Sequence, residues 1–148
     1  MVKLYQIPVK LIKKEKRVPK KVSQPAWYTD DVIAIILASL KEKYITTNES
    51  RIHSAVFKLK KEYPEFFNDL IFSGTETHPF SKELERILFR FYQTNTLLTL
   101  NPSFDVYLID DDNKKCIYRH LKGRFSGSES DKINEMTELV ESEKLLAI

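Results

Sequence analysis

Lys82, Arg86 and Arg90 stand four residues apart, and Gln93 follows three later. On a helix each step of four advances about 400°, so the three cations form one line that ends in an amide. Arg86 lies about 200° from both Leu84 and Leu88, opposite the apolar side. A basic line on the solvent side of a helix is what major-groove docking requires. Arginine can give two hydrogen bonds to guanine, and any of these side chains can hold a phosphate. Glu83 and Glu85 flank the line, and an ordinary solvated helix face can carry the same stripe.

A second store of positive charge opens the chain. Residues 1–21 hold eight basic groups against one acid, Glu15, a net +7, and six of them are Lys13, Lys14, Lys16, Arg17, Lys20 and Lys21. The remaining 127 residues hold 16 basic and 20 acidic groups, a net −4, and residues 129–148 alone account for that value. A basic head of this kind binds phosphate without sequence preference, or serves as a solubilising arm.

Catalytic constellations are thin. Asp105 with Asp112-Asn113-Lys114 has the residue types of a metal-dependent nuclease, but the triplet falls in a turn and the spacing is too tight for a separate strand. His53, His78 and His120 show no i,i+4 pairing with one another, so no metal site is expected. Cys116 is the one cysteine. It forms no internal disulfide and reads as a small half-buried residue rather than a nucleophile. With only three glycines a phosphate-cradling loop is disfavoured. The expectation is a protein without catalytic residues, cofactor or metal.

The elements that must position the basic line follow from periodicity. Tyr5 to Leu11 alternates as an edge strand containing Pro8. A first helix should start at a Thr29 cap and run to about Tyr44, with Val32, Ile33, Ile36, Leu37 and Leu40 on one stripe. A second helix follows the turn Thr46-Thr47-Asn48, where Thr46 with Glu49 has capping-box spacing and Asn48 is an equally good cap, and buries Ile52, Ala55, Val56, Leu59 and Tyr63 before Pro64. Ser81 caps a third, from Lys82 to about Thr94, whose core face is Leu84, Ile87, Leu88 and Phe91. The period then changes. Leu97–Leu100 and Phe104–Ile109 read as strands, Asp110–Asn113 as a turn, and Lys115–Leu121 as a returning strand. After a break at Gly123–Ser130, Lys132–Ala147 is a final amphipathic helix.

Three helices followed by a hairpin is the order of a winged helix. The expected fold is α+β and mostly helical: a winged-helix-like three-helix core with a β-hairpin wing, an N-terminal edge strand and a C-terminal helix. The expected divisions are a basic strand and arm over 1–25, the winged-helix-like domain over 26–125, and an acidic amphipathic helix over 126–148. Hydrophobic residues at 42% suffice for a core, and no apolar run is long enough for a membrane span. No leader of charged-then-apolar type opens the chain, so a cytoplasmic location is expected.

Arg51-Ile52-His53-Ser54-Ala55-Val56-Phe57-Lys58-Leu59 is similar to the R-L-x-K-L-x-F-L helix of Panacea-type (SocA-like) antitoxin proteins. His78-Pro79-Phe80-Ser81-Lys82-Glu83-Leu84 resembles their G-P-[YF]-S-x-E-L turn, with His78 in place of the glycine and Lys58 where an apolar residue is usual. The resemblance covers about residues 50–100. It implies a small, largely helical protein related to winged helices. Such a protein neutralises a toxin or acts as a regulator or adaptor, and has no catalytic residues.

The first expectation is therefore a non-enzymatic DNA-binding protein, a transcriptional regulator. Its Lys82, Arg86, Arg90 and Gln93 would enter the major groove while the arm holds phosphates. Ile133, Met136, Leu139, Val140 and Leu146 would form a homodimer face. The alternative is a protein-interaction module that offers Phe66, Phe67 and Phe72 to a partner. Replacing Lys13, Lys14, Lys16, Arg17, Lys20 and Lys21 by neutral residues should weaken nucleic-acid binding at low salt and leave thermal stability unchanged. A filter-binding titration beside a melting curve reads both.

Overall fold

The computed structural model describes residues 26–99 and 106–148. Its elements are α1 (Thr29–Ser39), β1 (Tyr44–Thr46), α2 (Glu49–Glu62), β2 (Ser73–Gly74), β3 (Pro79–Phe80), α3 (Lys82–Gln93), β4 (Leu98–Thr99), β5 (Val106–Leu108), α4 (Asp111–Leu121) and α5 (Gly127–Ser142). The fold is α+β, with the helices dominant and two small antiparallel sheets. One sheet has the order β1-β5-β4, and β2 pairs with β3 in the other.

Helix α1 sets the architecture. Every residue from Val32 to Leu37 is buried, so this helix has no wet face over more than a full turn. Helices α4 and α5 both pack on it. Its ends are held from outside. The Asp31 carboxylate accepts from the Tyr28 N–H at 2.9 Å, and Thr29 donates its hydroxyl hydrogen to the Phe66 carbonyl at 3.1 Å. Thr29 is thus the first helical residue rather than the expected cap. The helix also stops at Ser39, short of Tyr44. The chain turns extended at Leu40, and β-branched Ile45 and Thr46 enter the sheet opposite Tyr107 and Val106. Lys114 donates to the carbonyls of Leu40 and Glu42 at 2.6 and 2.8 Å, which satisfies the freed backbone there.

The hairpin is formed by β4 and β5, with Leu98 opposite Leu108 and Thr99 opposite Tyr107. Its connecting turn, the edge strand expected at Tyr5–Leu11 and the basic arm lie outside the described residues. The expected returning strand over Lys115–Leu121 is instead helix α4. Asp110 is its cap, accepting from the Asn113 N–H at 2.7 Å, and Asp111 and Asp112 occupy the first turn where the helix dipole favours acids. Ile117 and Leu121, four apart, are both buried. The aspartates that read as a hairpin turn therefore start a helix.

Helix α5 begins earlier than expected, at a capping box in which Ser126 accepts from Glu129 N and the Glu129 carboxylate accepts from Ser126 N. Its apolar side corrects the expected dimer face. Ile133, Met136, Val140 and Leu146 are buried in the chain's own core, and Leu139 is partly buried against it. The segment after α5 is fastened by Arg51, whose guanidinium donates to the carbonyls of Ala147, Lys144 and Leu145, and by the Thr46 N–H, which donates to Leu146 O at 2.9 Å. Met136, 0% exposed, gives the test. Met136→Ala should cost about 2–5 kcal/mol in denaturant unfolding, with a midpoint that does not move with protein concentration. A concentration-dependent midpoint would return the face to a dimer.

Candidate functional site

Helix α3 is positioned from its first turn. Ser81 caps it, accepting from the Leu84 N–H at 3.2 Å. The Ser81 N–H in turn donates to His53 Nδ1 of α2 at 3.0 Å. The His53 ring stacks on Phe80 with centroids 4.9 Å apart and planes 8° from parallel. Phe80 belongs to the two-residue hairpin β2–β3, whose other strand ends at Gly74. There φ is +87°, and a Cβ would lie 2.5 Å from the His78 carbonyl oxygen, so the turn requires glycine. The Glu83 carboxylate accepts from the Ile71 N–H at 2.9 Å, which ties the loop before the hairpin to α3 and holds that carboxyl below its ordinary pKa.

Leu84, Ile87 and Phe91 bury one side of α3, and Leu88 is half-buried. On the open side Lys82, Arg86, Arg90 and Gln93 are all exposed, as their spacing required. They are not equivalent. Arg90 pairs with Asp30 at 3.3 Å, while Arg86 has no hydrogen-bonded or ion-paired partner among the described residues. Lys13, Lys14, Lys16, Arg17, Lys20 and Lys21 lie outside the described residues. The expected aromatic patch is corrected. Phe66 and Phe67 are 1% and 0% exposed and belong to the core, with Trp27 stacked on Phe66 at 5.3 Å, and Phe72 is partly buried edge-on to Phe57 at 5.2 Å. The exposed aromatics lie elsewhere: Phe89 at 59% and Tyr92 at 44% on α3, with Tyr28, Tyr44 and Tyr118 also exposed.

The Phe89 and Tyr92 rings border an open groove of about 810 Å³ between α2, α3 and the sheet. Ile52, His53 and Leu88 contribute to it from the packed side, and Tyr107 from β5. Glu49, Glu85 and Arg86, all exposed, also line it. His53 is only 2% exposed. Because its Nδ1 accepts from Ser81, the neutral ring carries its hydrogen on Nε2, and no group among the described residues accepts it. An unmet buried donor costs about 1–3 kcal/mol. Burial pushes the Tyr107 hydroxyl above its ordinary pKa, with Glu49 adding to the effect, so this phenol stays protonated beside the groove.

Other chemistry is limited. Cys116 and His120 are one turn apart on α4 with Sγ and Nδ1 at 3.7 Å. Nδ1 also lies 2.9 Å from the Cys116 carbonyl oxygen, a pure acceptor, so Nδ1 carries a hydrogen and cannot take the thiol proton. Among the described residues no group of three or more His, Cys, Asp or Glu side chains could hold a metal ion, and no helix is long and apolar enough to cross a membrane. No family model, curated protein or solved structure matches the chain.

His53 makes α3's seat sensitive to pH. Burial lowers its pKa from the ordinary 6.5, opposed only in part by the carboxylates of Glu49 and Glu85. The unfolded chain therefore binds the proton more readily than the folded one. The resulting stability is complete above the ordinary value and is lost as pH falls from there through the folded-state value. Between about pH 7.5 and 5.5 the unfolding midpoint should fall, and His53→Gln should lack that component of the fall. Denaturant titrations of both proteins across this range make the comparison.

Proposed function

We propose that this protein is a non-enzymatic winged-helix DNA-binding protein, acting as a transcriptional regulator, with α3 as its recognition helix. The observation that carries the reading is topological. The order α1-β1-α2-α3-β4-β5, with β5 between β1 and β4, is that of a helix-turn-helix core closed by a wing hairpin. That arrangement leaves the outer side of the third helix free, and here this side carries Lys82, Arg86, Arg90 and Gln93. Residues 22–148 are net −4, so their overall field does not attract a polyanion. Affinity then rests on the local line of cations and on the basic arm. Fold-level analogy gives the class; the exposed cations give the contact surface.

A second reading, a protein-interaction module of antitoxin or adaptor type, is favoured by one observation: the exposed rings of Phe89 and Tyr92 beside Glu49 and Glu85. It differs in its response to salt, since an aromatic docking site loses little affinity where phosphate contacts lose much. For the DNA reading, Arg86→Ala should weaken binding to duplex DNA and reduce the slope of log affinity against log salt by about one. Arg90→Ala should do less, because Arg90 already neutralises Asp30. Fluorescence anisotropy with labelled duplex at several salt concentrations measures both. An unchanged slope in Arg86→Ala sets the reading aside.

A further inference from the structure

We propose that the outer face of α4 is a second contact surface for the phosphate backbone of duplex DNA, separate from the one on α3. The inference rests on the DNA reading above and adds a contact to it. Lys115, Arg119 and Lys122 are four and three residues apart. At about 100° per residue they lie within about 60° of one another, on the side of α4 away from buried Ile117 and Leu121. All three are exposed, and so is Tyr118 beside them. Lys115 and Arg119 have no hydrogen-bond or ion-pair partner among the described residues. The Lys122 ammonium has only the Tyr118 ring, 5.8 Å from its centroid.

The distribution of charge singles this face out. Residues 113–128 hold five basic groups and no acid, whereas the rest of residues 22–148 holds 11 basic and 20 acidic groups, a net −9. A polyanion is therefore drawn to this run and opposed by the remainder. On α3 the cations are flanked by Glu83 and Glu85. Along α4 acids occur only in the first turn, where Asp111 pairs with Lys43 at 3.4 Å and Asp112 precedes Lys115 by one turn.

The chemistry of the face favours phosphates over other anionic partners. A membrane surface or a protein partner is held largely by buried apolar side chains. Tyr118, 49% exposed, is the only large hydrophobic side chain that α4 exposes. A phosphate backbone requires only donors, and ammonium, guanidinium and phenol groups provide them. Contacts at both ends of α4 also fix it beside the last turn of α3. The Asn113 side-chain amide donates to the Asn95 carbonyl, just past α3, at 2.9 Å. Arg124, just past α4, pairs with Asp31 at 3.4 Å, next to the Asp30 that pairs with Arg90.

Fluorescence anisotropy of the full chain with a labelled DNA duplex, at several salt concentrations, tests the surface. The variant Lys115→Gln/Arg119→Gln/Lys122→Gln changes exposed residues only, and a melting curve verifies that it folds. The control Lys41→Gln/Lys61→Gln/Lys144→Gln, also at exposed positions, removes the same charge elsewhere. The α4 variant should bind about tenfold more weakly and lose about two to three from the slope of log affinity against log salt, while the control stays close to the parent. An equal loss in the control, or an unchanged slope in the α4 variant, overturns the proposal. If Arg86→Ala still reduces the slope in that case, the recognition-helix reading stands alone. A slope reduced in the α4 variant and unchanged in Arg86→Ala supports the α4 surface and sets aside α3 as the contact. Polyglutamate that binds as tightly as the duplex at equal salt, and is lost in the same variant, identifies an acidic protein as the occupant and overturns the proposal. No binding to duplex DNA at low salt removes both the proposal and the reading on which it rests.

Discussion

The burial of α1 on all sides is the constraint from which the rest of the molecule follows. Val32 to Leu37 are consecutive and apolar, and a helix with no polar face is stable only when enclosed. Helices α4 and α5 provide much of the enclosure, and this consumes the apolar side of α5. Lys114, Asp31 and Thr29 act as fittings around it, each meeting backbone polar groups at one end of the buried helix. Placing the aromatic segment at Phe66 and Phe67 inside follows from the same enclosure, because Thr29 reaches directly to the Phe66 carbonyl.

What enclosure spends on one side it leaves open on the other. Helix α3 is buried through Leu84, Ile87 and Phe91 only, and its orientation depends on its start, where Ser81 both caps the helix and donates to His53. A recognition surface needs this combination: a rigid seat and an open outer face. The exposed Phe89 and Tyr92 contribute nothing to the core, and an unmet donor at His53 is a cost to stability. Both lie along one groove.

Much of this was legible in the residues. Helices α2 and α3 announce themselves by apolar spacing and cap residues, Ser81 clearly and Asn48 as one of two candidates, whereas β4 and β5 were legible as strands but the wing was expected between β5 and the segment that forms α4. Helix α4 was obscured because Asp110-Asp111-Asp112-Asn113 is good turn chemistry and Cys116-Ile117-Tyr118 suits a strand. The cap spacing from Asp110 to Asn113 and the i,i+4 pair Ile117 and Leu121 carried the opposite signal. Strand β1 has three residues, too few for any period, and exists because β5 is there to pair with it. On α3 the off-phase Phe89 was visible as an aromatic outside the core stripe. The role of His53 was not, because it depends on Phe80 and Ser81, which lie more than two dozen residues away and meet it only in the folded chain.

Charge poses the last constraint. A domain that is net negative can bind a polyanion only if it separates the phosphates from its own carboxylates. The two kinds of group are interleaved on α3, where Glu83 and Glu85 flank Arg86. Arg86 is exposed on the outer side of α3, and Arg90 is already committed to Asp30. Glu49 and Glu85 stand on the side shared with His53. Carboxylates beside these cations oppose backbone contact there. On the proposed DNA reading, electrostatics that argue against a uniform positive footprint therefore confine phosphate contact to Arg86 and its neighbours on the outer side of α3, to the basic arm and to the α4 face proposed above.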